Sequence, residues 1–140
     1  PFCVDRHREA FKDLVSLHVD ILFANEKEII SLYEVETVDD AIEIVKSQCA
    51  IVAITLSEKG SIIIQNGEIT KVEAEPVQKL VDSTGAGDAY AAGFLFGYTQ
   101  HKSIAECGRL GSIAAAEVIS HMGPRPEVTL ADLVKDKKAA

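Results

Sequence analysis

Cysteine, histidine, basic charge and long apolar runs are all scarce in this chain, and each scarcity removes a class of function. The three cysteines, Cys3, Cys49 and Cys107, are odd in number and show no CxxC spacing, which argues against a disulfide framework and a zinc site. Plain buried thiols in a reducing cytoplasm are expected. The four histidines, His7, His18, His101 and His121, are dispersed, with no pair at metal-ligand spacing on one helix face. Fourteen Lys and Arg stand against 22 Asp and Glu, a formal charge of −8, which disfavours nucleic acid and anionic membrane surfaces as partners. The apolar run of the Gly-rich segment, Ala89 to Phe96, falls far short of the roughly 18 residues a membrane span needs. No basic stretch precedes an apolar core near Pro1, so no secretory signal is read there. The opening Pro1-Phe2-Cys3, without a Met or an opening strand, reads as the interior of something longer.

What is present is a chain of 140 residues, 47% hydrophobic and 26% charged, enough for a core and most simply counted as one domain. Apolar positions Ala10, Phe11, Leu14, Val15 and Leu17 recur with a helical period and predict a helix from Asp5 to Leu17. Residues 19–24 form an apolar run suited to a buried parallel strand, and Asn25 then caps a helix from Glu26 to Tyr33. Thr37 and Asp40 form a capping-box-like start for a helix to about Ser47, followed by a second buried strand from Ala50 to Thr55. Asn66-Gly67, flanked by Ser61 to Gln65 and Ile69 to Val72, is a strong hairpin signal. A further strand is expected at Val77 to Val81. Helices are expected from Gly87 to Thr99 and from Ser103 to Ser120, with Thr129 capping a short last one. Gly93, Gly97, Gly108 and Gly111 read as small residues for close helix packing. Alternating helices and buried strands with a hairpin argue for a layered α/β fold.

Chemistry concentrates in Asp82-Ser83-Thr84-Gly85-Ala86-Gly87-Asp88. Glycines let a backbone approach a ligand, and a helix N-terminus offers unpaired N–H groups with partial positive charge, so such a turn attracts an anion, most naturally a phosphate. On these residues alone, a plain tight turn with Asp88 complementing the helix dipole fits equally well. No GxxxxGK[ST] occurs, and Tyr90 stands where the third glycine of GxGxxG belongs, so neither a P-loop nor a dinucleotide fingerprint fits.

The run Asp82 to Leu95, DSTGAGDAYAAGFL, resembles the C-terminal signature of the ribokinase-like family of carbohydrate and nucleoside kinases. Asn25-Glu26-Lys27-Glu28 is similar to that family's NxxE motif, and Thr55-Leu56-Ser57-Glu58-Lys59-Gly60 to its TxGxxG turn, in the family's order. Pro1-Phe2, the stretch from Val19 to Glu26, and Glu106-Cys107 before Arg109 look most like the adenosine kinases, while residues 117–126 resemble bacterial adenosine or sugar kinases. The resemblance implies a ribokinase-like α/β/α layered sheet, mostly parallel with an antiparallel hairpin. It also implies a C-terminal nucleotide-binding and catalytic portion lacking its N-terminal half and lid.

The implied reaction is transfer of the γ-phosphoryl group of ATP to a primary hydroxyl of adenosine or a related nucleoside. Asp88 would accept the hydroxyl proton, and the amides of Gly85, Ala86 and Gly87 would form an anion hole. Asn25 and Glu28 would organise Mg²⁺ through water, although the residues alone favour an N-cap and a solvated acid. Thr55, Ser57, Gly60 and Thr84 would lie along the nucleotide, and Ser112 beside the purine; Ser57 departs from the glycine commoner in the family. A monovalent cation is compatible with the family at groups matching Asp82 and Thr84 and at nearby carbonyls, with Glu127 departing from the small polar ligand some relatives use. The alternatives are a ribokinase- or fructokinase-like sugar kinase, a nucleotide-binding fragment inactive by itself, and an unrelated α/β domain whose turn holds no ligand. The sequence leaves the oligomeric state open.

Overall fold

The computed structural model describes the backbone of residues 2–139 and the side chains of residues 2–135; Pro1, one of the residues likened to adenosine kinases, lies outside the described residues. The chain forms α1 (Phe2–Arg6), α2 (Arg8–Leu17), β1 (Ile21–Asn25), α3 (Glu26–Tyr33), α4 (Val38–Val45), β2 (Ile51–Thr55), β3 (Ser61–Gln65), β4 (Glu68–Val72), α5 (Ala86–Thr99), α6 (Ile104–Val118) and α7 (Leu130–Ala139). These elements fall into two compact units. One runs to Ser57 and includes Ser61–Lys71; the other comprises Glu58–Gly60 and the chain from Val72 onward.

In the first unit the sheet has the order β1-β2-β3-β4. β1 and β2 are parallel, with Asn25 opposite Thr55, and β2 and β3 are antiparallel. The sheet is therefore mixed: among the described strands the parallel relation expected to dominate is limited to β1 and β2. The expected hairpin forms with Asn66 at φ 51° and Gly67 at φ 80°, the two left-handed residues of a I′ turn. β2 and β3 are buried over four of their five residues each, as continuous apolar strands should be. β1 is half-buried from Ile21 to Ala24 and exposed at Asn25, not buried as expected, because it occupies an edge of the sheet. Ile29, Leu32, Ala41, Ile42 and Val45 pack with Val52, Ile54, Ile62 and Ile64 in one apolar cluster, placing α3 and α4 on one face.

Three further expectations are corrected. The helix read as continuous from Asp5 to Leu17 is two helices, because His7 leaves helical backbone at φ −129°. No strand forms at Val77 to Val81: Pro76 lacks an N–H for a ladder, Leu80 is 61% exposed, and the Val81 amide donates to the Ile119 carbonyl instead. The thiols are not uniformly buried, since Cys3 is exposed, Cys49 half-buried and only Cys107 buried.

In the second unit α5 and α6 pack face to face at glycine distance. A Cβ at Gly93 would sit 2.5 Å from the Leu110 carbonyl oxygen, and one at Gly111 2.8 Å from that of Tyr90. Ser103 and Glu106 close a capping box that starts α6.

Candidate active site

The first unit brings three of the singled-out residues to the carboxyl ends of its parallel strands. β1 ends at Asn25, whose Oδ1 accepts the Glu28 amide at 2.9 Å while Glu28 Oε2 accepts the Asn25 amide at 2.9 Å. The NxxE motif is thus a complete capping box, and the N-cap reading of Asn25 holds. Thr55 stands beside Asn25 at the end of β2. Two residues later, exposed Ser57 opens a 3₁₀ turn at φ 56°. A left-handed backbone favours glycine, which gives the physical reason why glycine would be commoner there.

Gly60 belongs to the second unit, and its requirement is internal to the fold: φ is 89°, and a Cβ would meet the Val72 carbonyl oxygen at 2.0 Å. Ser112 is buried in α6, and its Oγ donates to the Glu73 carbonyl at a long 3.5 Å. Both therefore have structural partners of their own.

The Gly-rich turn opens α5. Asp82 shapes the approach: Oδ1 accepts the Thr84 amide at 2.9 Å and Oδ2 the Gly123 amide at 3.0 Å. Hydrogen bonds from the Thr84 side chain and amide, and then the Gly123 amide, hold the Asp82 carboxyl below the usual carboxylate range, with a smaller contribution from His121. Gly85 is the N-cap at φ 80°, and a Cβ there would lie 2.6 Å from Pro124 Cβ; backbone and packing both demand glycine. The Ala86 amide donates to the Ser83 carbonyl at 3.2 Å, so it is already engaged within the turn, unlike the free amide expected of an anion hole. Gly87 differs from Gly85, since a Cβ there would meet nothing within 4 Å. Neither dihedral freedom nor packing explains that glycine, and its exposed first-turn backbone is open to a ligand. Asp88 follows, exposed, in the same turn.

Asn25, Glu28, Thr55 and Ser57 lie in the first unit, and Gly60, Thr84, Gly85, Ala86, Gly87, Asp88 and Ser112 in the second. Among the described residues no group of three or more His, Cys, Asp or Glu could cage a metal ion. Residues 3–130 match the profile of the pfkB family carbohydrate kinases. The chain belongs to that family. The resemblance read from the three ordered motifs is thereby borne out, and so is the α/β fold it implied.

This pfkB chain is 38% identical over 121 residues to the cytidine kinase of Thermococcus kodakarensis, an alignment covering 84% of the chain and 43% of that enzyme. It superposes on adenosine kinase from Sinorhizobium meliloti with a TM-score of 0.92 at 48% identity, and on a probable sugar kinase from Rhizobium etli with 0.95 at 44%. Each superposition covers 99% of the chain and 42% of the other protein. The chain thus spans about two-fifths of the length of the relatives it matches. No described helix is long and apolar enough to cross a membrane.

Glu117 belongs to the stretch that resembles bacterial adenosine or sugar kinases, which assigns it no role. Its side chain is only 8% exposed, and its Oε1 accepts from Nε2 of His121 at 3.1 Å and from the Glu127 amide at 2.9 Å. Burial pulls the His121 pKa down, but the hydrogen bonds to Glu117 and the Met122 carbonyl and the charges of Glu127 and Glu117 outweigh it and raise it. Glutamate and histidine at i and i+4 were a local signal of contact; the link from Glu117 to Glu127 was not.

Proposed function

We propose that the full-length protein transfers the γ-phosphoryl group of ATP to a primary hydroxyl of adenosine or a related nucleoside, acting in the cytoplasm, and that the 140-residue chain alone is inactive. Family membership supports the kinase chemistry, and the resemblance to cytidine and adenosine kinases supports a nucleoside acceptor. The observation that carries the reading is Gly87: an exposed glycine with no structural requirement of its own, in the first turn of a helix, next to an exposed carboxylate.

Phosphoryl transfer needs positioning and charge stabilisation more than covalent chemistry. The first-turn amides of Gly87 and Asp88, aided by the α5 dipole, receive the charge developing on the transferring group. Gly85 shapes that turn, and Ala86 serves chiefly to close it. Asp88 accepts the proton of the acceptor hydroxyl. Family membership supports assigning nucleotide contacts to Thr55 and Ser57 within the first unit and to Gly60, Thr84 and Ser112 within the second.

Mg²⁺ suits Asn25 and Glu28 through water, because the capping box uses one oxygen of each residue and leaves further acceptor capacity. When bound, the ion neutralises phosphate charge. For a monovalent cation, Asp82 is the fitting anionic group, although both its oxygens already accept amides.

A sugar acceptor is the second reading, favoured by the likeness to the Rhizobium etli probable sugar kinase. The test is phosphorylation of adenosine, ribose and fructose by the full-length protein; a clear preference for either sugar overturns the nucleoside assignment. In the same protein, Asp88→Asn is expected to cut turnover by at least about 100-fold with ATP affinity retained. Turnover near that of the unaltered enzyme removes Asp88 from proton transfer.

A further inference from the structure

Residues 119–127, which follow α6, touch the approach to the Gly-rich turn at three points. The Ile119 carbonyl accepts the Val81 amide at 2.9 Å, the Gly123 amide donates to Asp82 Oδ2 at 3.0 Å, and Pro124 fills the space that a Gly85 side chain would need. What gives this segment its own shape is Glu117. A single oxygen, Oε1, accepts from His121 near the start of the segment and from the Glu127 amide at its end. The other oxygen, Oε2, is buried without a hydrogen-bond partner among the described residues. An unpartnered buried carboxylate oxygen is costly, so the group is not placed there for solvation.

We propose that Glu117 is a positioning residue: by tying His121 to Glu127 it fixes residues 119–127 as the back wall that holds Asp82 and Gly85, and with them the Gly87–Asp88 turn, in place. Its catalytic consequence rests on the reading of that turn as the phosphate site; its structural consequence does not. Losing the tie loosens the wall without removing any group that touches substrate, so turnover falls while acceptor binding changes little. A glutamine retains the Oε1 acceptor and most of the tie.

The test uses the full-length protein with Glu117→Ala and Glu117→Gln, followed by hydrogen exchange and steady-state kinetics. In Glu117→Ala, exchange at residues 82–88 and 119–127 is expected to quicken, with that of β2 and β3 unchanged, and kcat to fall about tenfold or more with KM for the acceptor within about twofold. Glu117→Gln is expected to restore protection and most of kcat. If Glu117→Ala does not fold, Glu117→Gln and His121→Ala carry the comparison: the tie predicts near-normal protection at 82–88 in the first and intermediate protection in the second. Unchanged exchange at residues 82–88 in every folded variant that removes a partner overturns the proposal. Faster exchange there with unaltered kcat overturns its catalytic part and the phosphate-site reading with it.

Discussion

Tyr33 shows how a single side chain can report on its surroundings. Its hydroxyl donates to Gln48 Oε1 at 2.6 Å, and burial, reinforced by Cys49, pushes its pKa up to about 12 from an ordinary 10.0. The folded chain therefore keeps the phenol protonated where the unfolded chain has lost the proton. That contribution to stability is complete below pH 10.0 and is lost as pH rises toward about 12. Phenolate absorbance is expected to show a late-titrating component that disappears in Tyr33→Phe, and the same variant should flatten the decline in stability over that window. Other residues were legible because their partners are close in sequence: Asn25 and Glu28, Thr37 and Asp40, and Ser103 and Glu106 all form contacts at i, i+3. Ser57 stands out in the sequence as a departure from the family's glycine, but its positive φ emerges only once the chain has turned between two antiparallel strands. The role of Glu117 is not legible in the sequence because its second partner is ten residues away and beyond the helix end.

At the level of elements, the two kinds of glycine in α5 make opposite predictions. Gly93 faces the α6 backbone, and a methyl group there must displace the Leu110 carbonyl. Gly93→Ala is expected to destabilise by about 1–3 kcal/mol, visible as a lower midpoint in denaturant unfolding. Gly87 has open space around it, so Gly87→Ala is expected to leave the midpoint unchanged or raise it slightly, since alanine is the better helix former, while weakening phosphate binding. A loss of stability in Gly87→Ala equal to that of Gly93→Ala would mean that Gly87 is a packing glycine too. Helix and hairpin positions were readable from periodicity, caps and the Asn66-Gly67 turn. The break at His7 and the strand-free course of residues 73–83 were not, because both depend on which backbone partners the fold supplies.

For the molecule as a whole, the fold was legible through family motifs more than through hydrophobic pattern alone, since the pattern gave the parallel pair and hairpin but not the division into two units. Exposed apolar side chains include Leu80, Phe96, Met122 and Val128, each more than half exposed, and β1 offers an edge of half-buried Ile21, Leu22, Phe23 and Ala24. Such surfaces favour association. The 140-residue chain by itself is therefore expected to bind an apolar dye and to self-associate as its concentration rises, more than the full-length protein does; sedimentation of both proteins checks this, and a cleanly monomeric chain would count against it. The capping box of Asn25 and Glu28 closes over three residues, whereas the link from Asp82 to Gly123 spans 41. Closing the longer loop costs more chain entropy and ties together parts of the chain that meet late in folding. The Gly-rich turn is therefore expected to take its shape after the NxxE cap, and in a nascent chain the Asp82–Gly123 link cannot form until the ribosome has released Gly123.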